Sequence, residues 1–307
     1  MSQPIIWLLG SHGQLGHELT RTLQEWGEVC ALTRSEADLS DPHALRAALL
    51  QRAQTGLPDL VVNAAAYTAV DKAQAEPALA HAVNAESPGV LAELAQIWGA
   101  MLVHYSTDYV FDGAGVKPWC ETDVTHPLSV YGTSKREGEL RVAHTCAKHL
   151  ILRTSWVVGV HGQNFLKTML RLAVERDSLR VVADQMGAPT STALLSAVTL
   201  TLVQAMQNAD ASDPRWGTYH VAAEGETSWH GYAQYVIAGA LARGAVLKAS
   251  PSTVEPIATS EYPLPACRPA NSRLDTHKLQ QTWGIGLPAW QVGVDAILDQ
   301  LIRKKSP

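Results

Sequence analysis

The sequence has little charge, and the charge that it has is not predominantly basic. Only 17% of the 307 residues are charged, and the 29 Asp and Glu residues outnumber the 24 Lys and Arg residues, which gives a net charge of −5. Proteins that bind nucleic acids usually carry a broad basic surface, so we expect no nucleic-acid partner. The hydrophobic share of 46% is that of a globular protein rather than of a disordered one.

The sequence also lacks a long apolar run. None approaches the ~18 residues that a membrane-spanning helix needs. The apolar run at residues 5–9 has no basic flank and is too short for a signal peptide. We therefore expect no membrane partner and a cytoplasmic location.

Cysteine is scarce as well. The four cysteines, at positions 30, 120, 146 and 267, form no CxxC pair, and a chain of this length does not need disulfides to supplement its core. His144, Cys146 and His149 lie close together, but their spacing matches no zinc template. We expect reduced thiols and no metal site.

What the chain has is a regular alternation of strand-like and helix-like segments. Short apolar runs predict buried strands at 4–9, 29–33, 59–63, 101–106 and 149–155. Apolar residues at helical spacing predict helices between them, at 15–26, 45–54 and 87–98. Strict alternation indicates a parallel sheet with helices on both faces, so we predict a doubly wound, Rossmann-type α/β fold.

The pattern changes after Trp156. Helices are predicted at 165–176, 193–206 and 229–243, and loops that contain proline separate them. Polar loops on a rigid scaffold are where ligand contacts usually lie. We predict a dinucleotide-binding domain over 1–156, and sheet completion with a small substrate lobe over 157–307, the two being interleaved.

Gly10, Gly13 and Gly16 form a GxxGxxG loop between the first predicted strand and helix. Glycine permits the tight turn, the close approach of backbone to a pyrophosphate and the close helix packing that a dinucleotide site needs. The helix that follows offers free N–H groups and the positive end of its dipole to the phosphates. The loop predicts a dinucleotide site, with a purely structural glycine turn as the alternative.

The residues after the second strand bear on the choice of cofactor. An NAD-selective site carries an acid here for the ribose 2′-hydroxyl, whereas this strand ends in Thr33 and Arg34. An arginine can grip a 2′-phosphate through two hydrogen bonds. Arg34 therefore favours NADPH. Because two acids, Glu36 and Asp38, follow closely, NADH stays the alternative.

Tyr131 and Lys135 are four residues apart, and in a helix that begins here they share one face. A neighbouring ammonium favours a phenolate, so we expect Lys135 to lower the pKa of Tyr131 from its ordinary value near 10. A phenol tuned in this way can exchange a proton with a substrate. The polar segment 106–109 follows the fourth strand, at the sheet edge where α/β proteins bind ligands. An ordinary pair on a helix surface is the alternative.

Together these three elements resemble the extended short-chain dehydrogenase/reductase superfamily. Further stretches narrow the resemblance to its dTDP-4-dehydrorhamnose reductase family: VNAAAYTAVD at 62–71, STDYVF at 106–111, RTSW at 153–156, DQMGAPT at 184–190 and RPANSRL at 268–274. The resemblance covers residues 5 to about 301. It implies reduction of the C4 carbonyl of dTDP-4-dehydro-β-L-rhamnose by NADPH or NADH, the last step of dTDP-rhamnose synthesis for surface polysaccharide.

The resemblance implies a catalytic set of three residues. Thr107 would polarise the ketone, Tyr131 would donate the proton, and Lys135 would hold the nicotinamide ribose and tune Tyr131. With the glycine loop and Arg34 included, the residues expected to bind the cofactor are Gly10, Gly13, Gln14, Leu15, Gly16, Arg34, Asp38, Leu39, Ala64, Ala65, Ala66, Tyr131 and Lys135. Those expected to bind the nucleotide sugar, including two cations for its diphosphate, are Thr107, Asp108, Trp156, Asn164, Lys167 and Arg268.

In some members of the family, a magnesium ion bridges the two subunits of a dimer. A Glu of the first helix and acidic residues just after the GxPT segment hold this ion. Glu18 is present, but Ala193, Leu194 and Leu195 are not acidic. Magnesium would therefore be structural at most, and we expect a monomer or a homodimer.

Two alternative functions stay open. One is a nucleotide-sugar epimerase or dehydratase of the same superfamily, although a dehydratase carries an acidic pair where this chain has Asp108 and Tyr109. The other is a non-catalytic nucleotide-binding regulatory subunit, against which the intact Tyr131 and Lys135 argue.

Overall fold

The computed structural model of the protein describes residues 3–303, and its centre is a six-stranded sheet in which all neighbouring strands are parallel. In chain order its strands are β1 (Ile5–Leu9), β2 (Glu28–Leu32), β3 (Leu60–Asn63), β4 (Met101–Thr107), β5 (His149–Thr154) and β10 (Gly217–His220). Their order across the sheet is β10-β5-β4-β3-β1-β2. The chain reverses its direction of winding at β1, and ligands of such sheets bind beyond the carboxyl ends of the strands at this point.

Helices connect these strands. Those of the first half are α1 (Gln14–Leu23), α2 (Pro42–Ala53), α3 (Val70–Ala75), α4 (Pro77–His81), α5 (Ser87–Trp98) and α6 (Val130–Thr145), with a π-helical turn (Ala82–Glu86) between α4 and α5. Those of the second half are α7 (Phe165–Glu175), α8 (Thr192–Met206), α9 (Trp229–Ala242), α10 (His277–Trp283) and α11 (Trp290–Arg303). Within residues 3–303, no helix combines the length and the apolar character needed to cross a bilayer.

Both faces of the sheet are buried. Ile6 and Leu8 of β1 pack with α1 and α8 on one face, and Trp7 and Leu9 pack with α2 and α5 on the other. Successive side chains of a strand point to opposite faces, so a strand covered on both faces has a continuous apolar sequence. The predicted doubly wound α/β fold is confirmed.

The second half of the chain contributes both to the sheet and to a separate layer. β10 pairs with β5 and completes the sheet, and α8 covers α1. Short strands pair outside the sheet: β6 (Val157–Val158) with β9 (Thr190–Ser191), β7 (Leu179–Val182) with β12 (Val254–Ile257), and β8 (Met186–Gly187) with β11 (Thr227–Ser228). α7, α9 and α11 share a third apolar cluster with these strands.

The end of α1 differs from the prediction. The apolar spacing through Trp26 predicts a helix to that residue, but α1 ends at Leu23, whose carbonyl accepts hydrogen bonds from the N–H groups of both Trp26 and Gly27. The helix ends early where the chain passes close to Pro4. A Cβ at Gly27 would collide with the carbonyl oxygen of Pro4. The turn therefore starts β2 against the residue that precedes β1.

A buried ion pair joins α6 to β5 and gives the first testable prediction. Glu139 accepts two hydrogen bonds from Arg153, of 2.9 and 2.7 Å, and both side chains are at most 7% exposed. Glu139→Ala leaves a buried guanidinium without its partner, which costs about 3–5 kcal/mol of unfolding free energy. Denaturant unfolding measures this loss.

The matched control is Glu175→Ala, which removes the partner of Arg171 from a surface ion pair. The Arg171 side chain is 61% exposed and the Glu175 side chain is 50% exposed. Such pairs contribute about 0–1 kcal/mol. Equal losses in the two variants would contradict the prediction.

Candidate active site

The glycine loop has the backbone geometry that only glycine permits. Gly10 has a φ of +81°, and a Cβ there would lie 2.6 Å from the backbone nitrogen of Ala65. A Cβ at Gly16 would collide with the carbonyl oxygen of Gly10. β1, β3 and the first turn of α1 therefore meet without intervening side chains, as the GxxGxxG pattern predicts.

The N-terminus of α1 is prepared for an anion. Its N-cap residue is Gly13, and no side chain caps it. By contrast, a side chain caps each of several other helices: Asp41 for α2, Ser129 for α6, Asn164 for α7, Ser191 for α8 and Ser228 for α9. The free N–H groups and the helix dipole of α1 fit a pyrophosphate.

A cavity of about 260 Å³ continues from this loop along the ends of β1 and β2. Seven of the residues predicted to bind the cofactor line it: Gly10, Gly13, Arg34, Asp38, Leu39, Ala65 and Ala66. Its wall also contains residues that sequence reasoning missed, among them Ser11, His12, Tyr67, Leu79 and Val83. Ser11 and His12 lie inside the GxxGxxG motif, so the motif itself could have predicted that they line the cavity.

The charges after β2 are partly engaged with each other. Glu36 accepts hydrogen bonds from the backbone and side chain of Thr33. Asp38 accepts two from Ser40, which hold the pKa of Asp38 below its usual range. The Arg34 side chain is 79% exposed and lies 3.4 Å from Asp38. The Arg34 guanidinium therefore lies at the rim of the cavity beside the Asp38 carboxylate, which would compete with a 2′-phosphate for it.

The predicted catalytic residues converge at the carboxyl end of β4. Ser129 caps α6, and Tyr131 and Lys135 face the sheet one turn apart, both buried. The Thr107 hydroxyl, on the last residue of β4, neighbours the Tyr131 phenol and donates to Asp108 Oδ1 at 3.1 Å. Lys135 Nζ donates to the carbonyl oxygen of Tyr105 at 2.6 Å. The structure thus brings together the three residues that the sequence placed in one catalytic set.

The predicted tuning of Tyr131 is wrong for this structure. Burial raises the pKa of Tyr131 to about 12, although the neighbouring Thr107 hydroxyl acts in the opposite direction. Burial also lowers the pKa of Lys135 to about 8. The ammonium is directed at the Tyr105 carbonyl, and the low polarity around the phenol outweighs the effect expected from the Tyr-Lys spacing alone.

Asp108, predicted to touch the sugar, is 2% exposed. Its Oδ1 accepts a hydrogen bond from the Thr107 hydroxyl at 3.1 Å, and burial raises the pKa of the carboxyl group to about 6. Within the described residues, Oδ2 has no hydrogen-bond partner. The side chain therefore supports Thr107 from behind, and an unpaired oxygen remains beside the catalytic set.

A larger cavity, of about 780 Å³, lies between α7, β7 and residues 262–268. Tyr109, Phe165 and Trp229 give it aromatic walls, and Arg268 lies at one side. Trp156 stands behind Trp229, with the two rings stacked at 3.6 Å and 15°. Trp156 has a left-handed φ of +46°, and its indole occupies the space that a side chain at Gly187 would need. It supports the cavity wall rather than forming it.

The predicted cations differ in placement. Arg268 lines the cavity, but its guanidinium donates to both carboxylate oxygens of Asp71, at 3.1 and 2.7 Å. Lys167 lies on another side of α7, where Nζ donates to the carbonyl oxygens of Val160 and Gly162. Lys167 therefore anchors a loop and does not reach the cavity, because those two carbonyls hold its ammonium.

Asn164 and Gln14 join the two halves of the protein. Asn164 Oδ1 caps α7, and its Nδ2 donates to Gln14 Oε1 and to the Gly159 carbonyl, each at 2.8 Å. Asn164 thus contacts the glycine loop helix rather than the larger cavity, and Gln14 faces the loop that follows β6.

The chain was also compared with known proteins. The model of a family described as "RmlD substrate binding domain" matches residues 4–303. A dTDP-4-dehydrorhamnose reductase of Burkholderia thailandensis is 46% identical over 300 residues, which cover 97% of this chain and 99% of that protein. Another, of Escherichia coli K12, is 45% identical and covers 96% of this chain and 97% of its own length.

A solved structure gives a further comparison. The crystal structure of a dTDP-4-dehydrorhamnose reductase of Bacillus anthracis in complex with NADP has a TM-score of 0.87 to this chain. It is 32% identical, covering 98% of this chain and all of that one. The likeness therefore extends over both halves of the protein.

Asp108 gives a prediction about pH. Its folded pKa, about 6, lies above the ordinary value of 3.8, so ionising it costs stability. The cost is full above about pH 6, declines as the pH falls towards 3.8, and is absent below that value. Asp108→Asn, which cannot ionise, should be more stable than the wild type by about 1–3 kcal/mol at pH 8.

Denaturant unfolding of both proteins between pH 8 and pH 4 tests this prediction. The advantage of the variant should shrink by more than half over that range. A constant difference would show that the carboxyl group does not titrate near pH 6.

Proposed function

Because the chain belongs to the dTDP-4-dehydrorhamnose reductase family, we propose that it reduces the C4 carbonyl of dTDP-4-dehydro-β-L-rhamnose and releases dTDP-L-rhamnose. One observation carries the proposal: Thr107, Tyr131 and Lys135 meet at the carboxyl end of β4. The glycine loop that lines the smaller cavity follows β1 of the same sheet, and Tyr109, two residues after Thr107, lines the larger cavity.

Tyr131 is suited to donate the proton. Because burial raises the pKa of Tyr131 to about 12, the phenol is fully protonated at neutral pH. The alkoxide that forms on C4 is a much stronger base than a phenolate, so the proton moves to it readily. The Thr107 hydroxyl neighbours the same phenol, and both groups can stabilise charge that grows only in the transition state.

The residues present fit a nicotinamide dinucleotide. The uncapped N-terminus of α1 would hold its pyrophosphate, and Leu39, Ala65 and Ala66 would enclose its adenosine. When bound, this cofactor supplies the hydride. We propose NADPH, because Arg34 lines the cavity at the ribose end and the Bacillus anthracis relative was solved with NADP.

The larger cavity is our proposed nucleotide-sugar site. A diphosphate brings negative charge to a protein that is acidic overall, so local cations must meet it. Arg176, Arg180 and Arg268 line the cavity, and two of them also pair with acids, Arg180 with Glu261 and Arg268 with Asp71. Its aromatic walls, Phe165 and Trp229, offer flat apolar surfaces for a base or a deoxysugar.

We further propose a cytoplasmic location. The four cysteines, at positions 30, 120, 146 and 267, are all free thiols, which suits a reducing compartment. Monomer and homodimer both stay predictions.

Tyr131→Phe tests the proton donor. The change keeps the ring and removes the hydroxyl, so kcat should fall by about 10²–10⁴-fold. The assay is NADPH oxidation with freshly prepared dTDP-4-dehydrorhamnose, and the affinity for NADPH, measured by titration, should change little. Tyr235→Phe is the matched control, because its hydroxyl hydrogen-bonds Asp295 on α11, away from the site. Retention of more than half of kcat in Tyr131→Phe would remove Tyr131 from the mechanism.

Arg34→Asp tests the choice of cofactor. The variant replaces a partner for the 2′-phosphate with a partner for the ribose hydroxyl. The ratio of kcat/KM for NADPH to that for NADH should fall by about tenfold or more, and the ratio of dissociation constants should follow it. Arg171→Asp changes the net charge equally on an exposed part of α7 and serves as the control. An unchanged ratio would mean that Arg34 is only a surface charge.

A further inference from the structure

Two buried polar side chains that the mechanism above does not use, Asn63 and His104, connect to Lys135 of the proposed catalytic set. Asn63 ends β3, His104 is in the middle of β4, and Lys135 is on α6, and none of the three is more than 2% exposed. Asn63 Nδ2 lies 3.1 Å from His104 Nδ1, and His104 Nε2 lies 3.4 Å from Lys135 Nζ. The imidazole therefore bridges the asparagine and the lysine.

The backbone fixes the orientation of the Asn63 amide. Its Oδ1 accepts a hydrogen bond from the N–H of Ala65 at 3.2 Å, so Nδ2 must be the atom that faces the histidine. An amide NH₂ group can only donate. His104 Nδ1 therefore accepts, and it carries no proton.

The same surroundings keep the His104 ring neutral. Burial, and then the nearby Lys135, hold the pKa of His104 well below its usual range. A neutral imidazole carries its proton on one nitrogen only. Since Nδ1 is the acceptor, the proton is on Nε2, and it points towards Lys135.

This tautomer discriminates between the two forms of Lys135. An ammonium has only N–H groups, and one of them would oppose the Nε2–H without forming a bond. A neutral amine has a lone pair that accepts the Nε2–H. The Tyr105 carbonyl, 2.6 Å from Nζ, can accept an N–H from either form and does not discriminate.

We propose that His104, held by Asn63 as the Nε2–H tautomer, is a positioning residue that prepares Lys135 to release a proton. The proposal rests on the proposed function. After Tyr131 has given its proton to the C4 alkoxide, a proton moves from Lys135 Nζ to the phenolate oxygen. Nζ becomes an amine and accepts the His104 Nε2–H, and a solvent proton later restores the ammonium.

Two carboxyl groups act on the residues of this path, Glu139 on Lys135 and Asp108 on Tyr131. Glu139, one turn along α6, favours the Lys135 ammonium, but both of its oxygens accept hydrogen bonds from Arg153 of β5. Asp108, after β4, acts on the Tyr131 phenol. All of these groups stay in place in the variants described next, so a change can be assigned to His104.

The first test needs no substrate. In ¹⁵N NMR of histidine-labelled, unliganded protein, the His104 resonances are identified as those lost in His104→Gln. We expect a protonated Nε2 and an unprotonated Nδ1. A proton on Nδ1, or on both nitrogens at pH 7, would overturn the proposal, whatever the enzyme reduces.

The second test is the pH profile of kcat. Lys135 must hold a proton to give one, so activity falls as the pH rises through its pKa. His104→Phe removes the Nε2–H that favours the amine, and the alkaline limb should move to higher pH by about 0.5 unit or more. His104→Gln places an amide donor near Nζ and should return the limb towards its wild-type position. KM for the nucleotide sugar should stay within about threefold in both variants.

Thermal unfolding shows whether each variant is folded. A loss of kcat that is equal at all pH values, without movement of the limb, would mean that His104 has only a structural role and would overturn the proposal. A wild-type protein that does not oxidise NADPH with the ketosugar would instead refute the proposed function, and the NMR result would still decide the tautomer.

Discussion

The packing of α6 across the carboxyl half of β4 is the contact on which the site depends. It buries Tyr131 and Lys135 against a strand whose own residues 104–107 are buried. Burial keeps the phenol protonated and weakens the hold of the lysine on its proton, with pKa values of about 12 and 8. The first effect ensures that the phenol carries a proton, although it makes the phenol a weaker acid, and the second makes the lysine proton easier to release. Neither effect needs a charged neighbour.

Close approach of backbones provides the other half of the site. At Gly10 the chain passes Ala65 so closely that any side chain would separate β1 from β3. The same closeness leaves the first turn of α1 uncapped and directed at the cavity. The proposed cofactor site and the proposed proton donor therefore lie on one sheet, whereas residues of α7 and α9 line the proposed substrate cavity.

Much of this could be predicted from the sequence. Strands buried on both faces have continuous apolar sequences, so β1, β3 and β4 were placed to within about a residue. The glycine spacing predicted the loop that lines the smaller cavity, and the Tyr-Lys spacing predicted the pair that α6 buries beside β4. The direction of the shift in the pKa of Tyr131 could not be predicted, because it depends on how completely α6 is covered. Likewise, Lys167 and Arg268 are cations by composition, but only the fold shows that carbonyls hold one and Asp71 holds the other.

The place of β10 in the sheet has a consequence for synthesis. β10 covers the outer edge of β5 but lies more than 60 residues after it in the chain, with α7 and α8 in between. While the ribosome makes this intervening stretch, the nascent domain has all five other strands and an open edge. Open strand edges invite pairing with other chains, and domains fold from the N-terminus as they emerge. The N-terminal half of this protein is thus most exposed to aggregation in the interval between the emergence of β5 and that of residue 220.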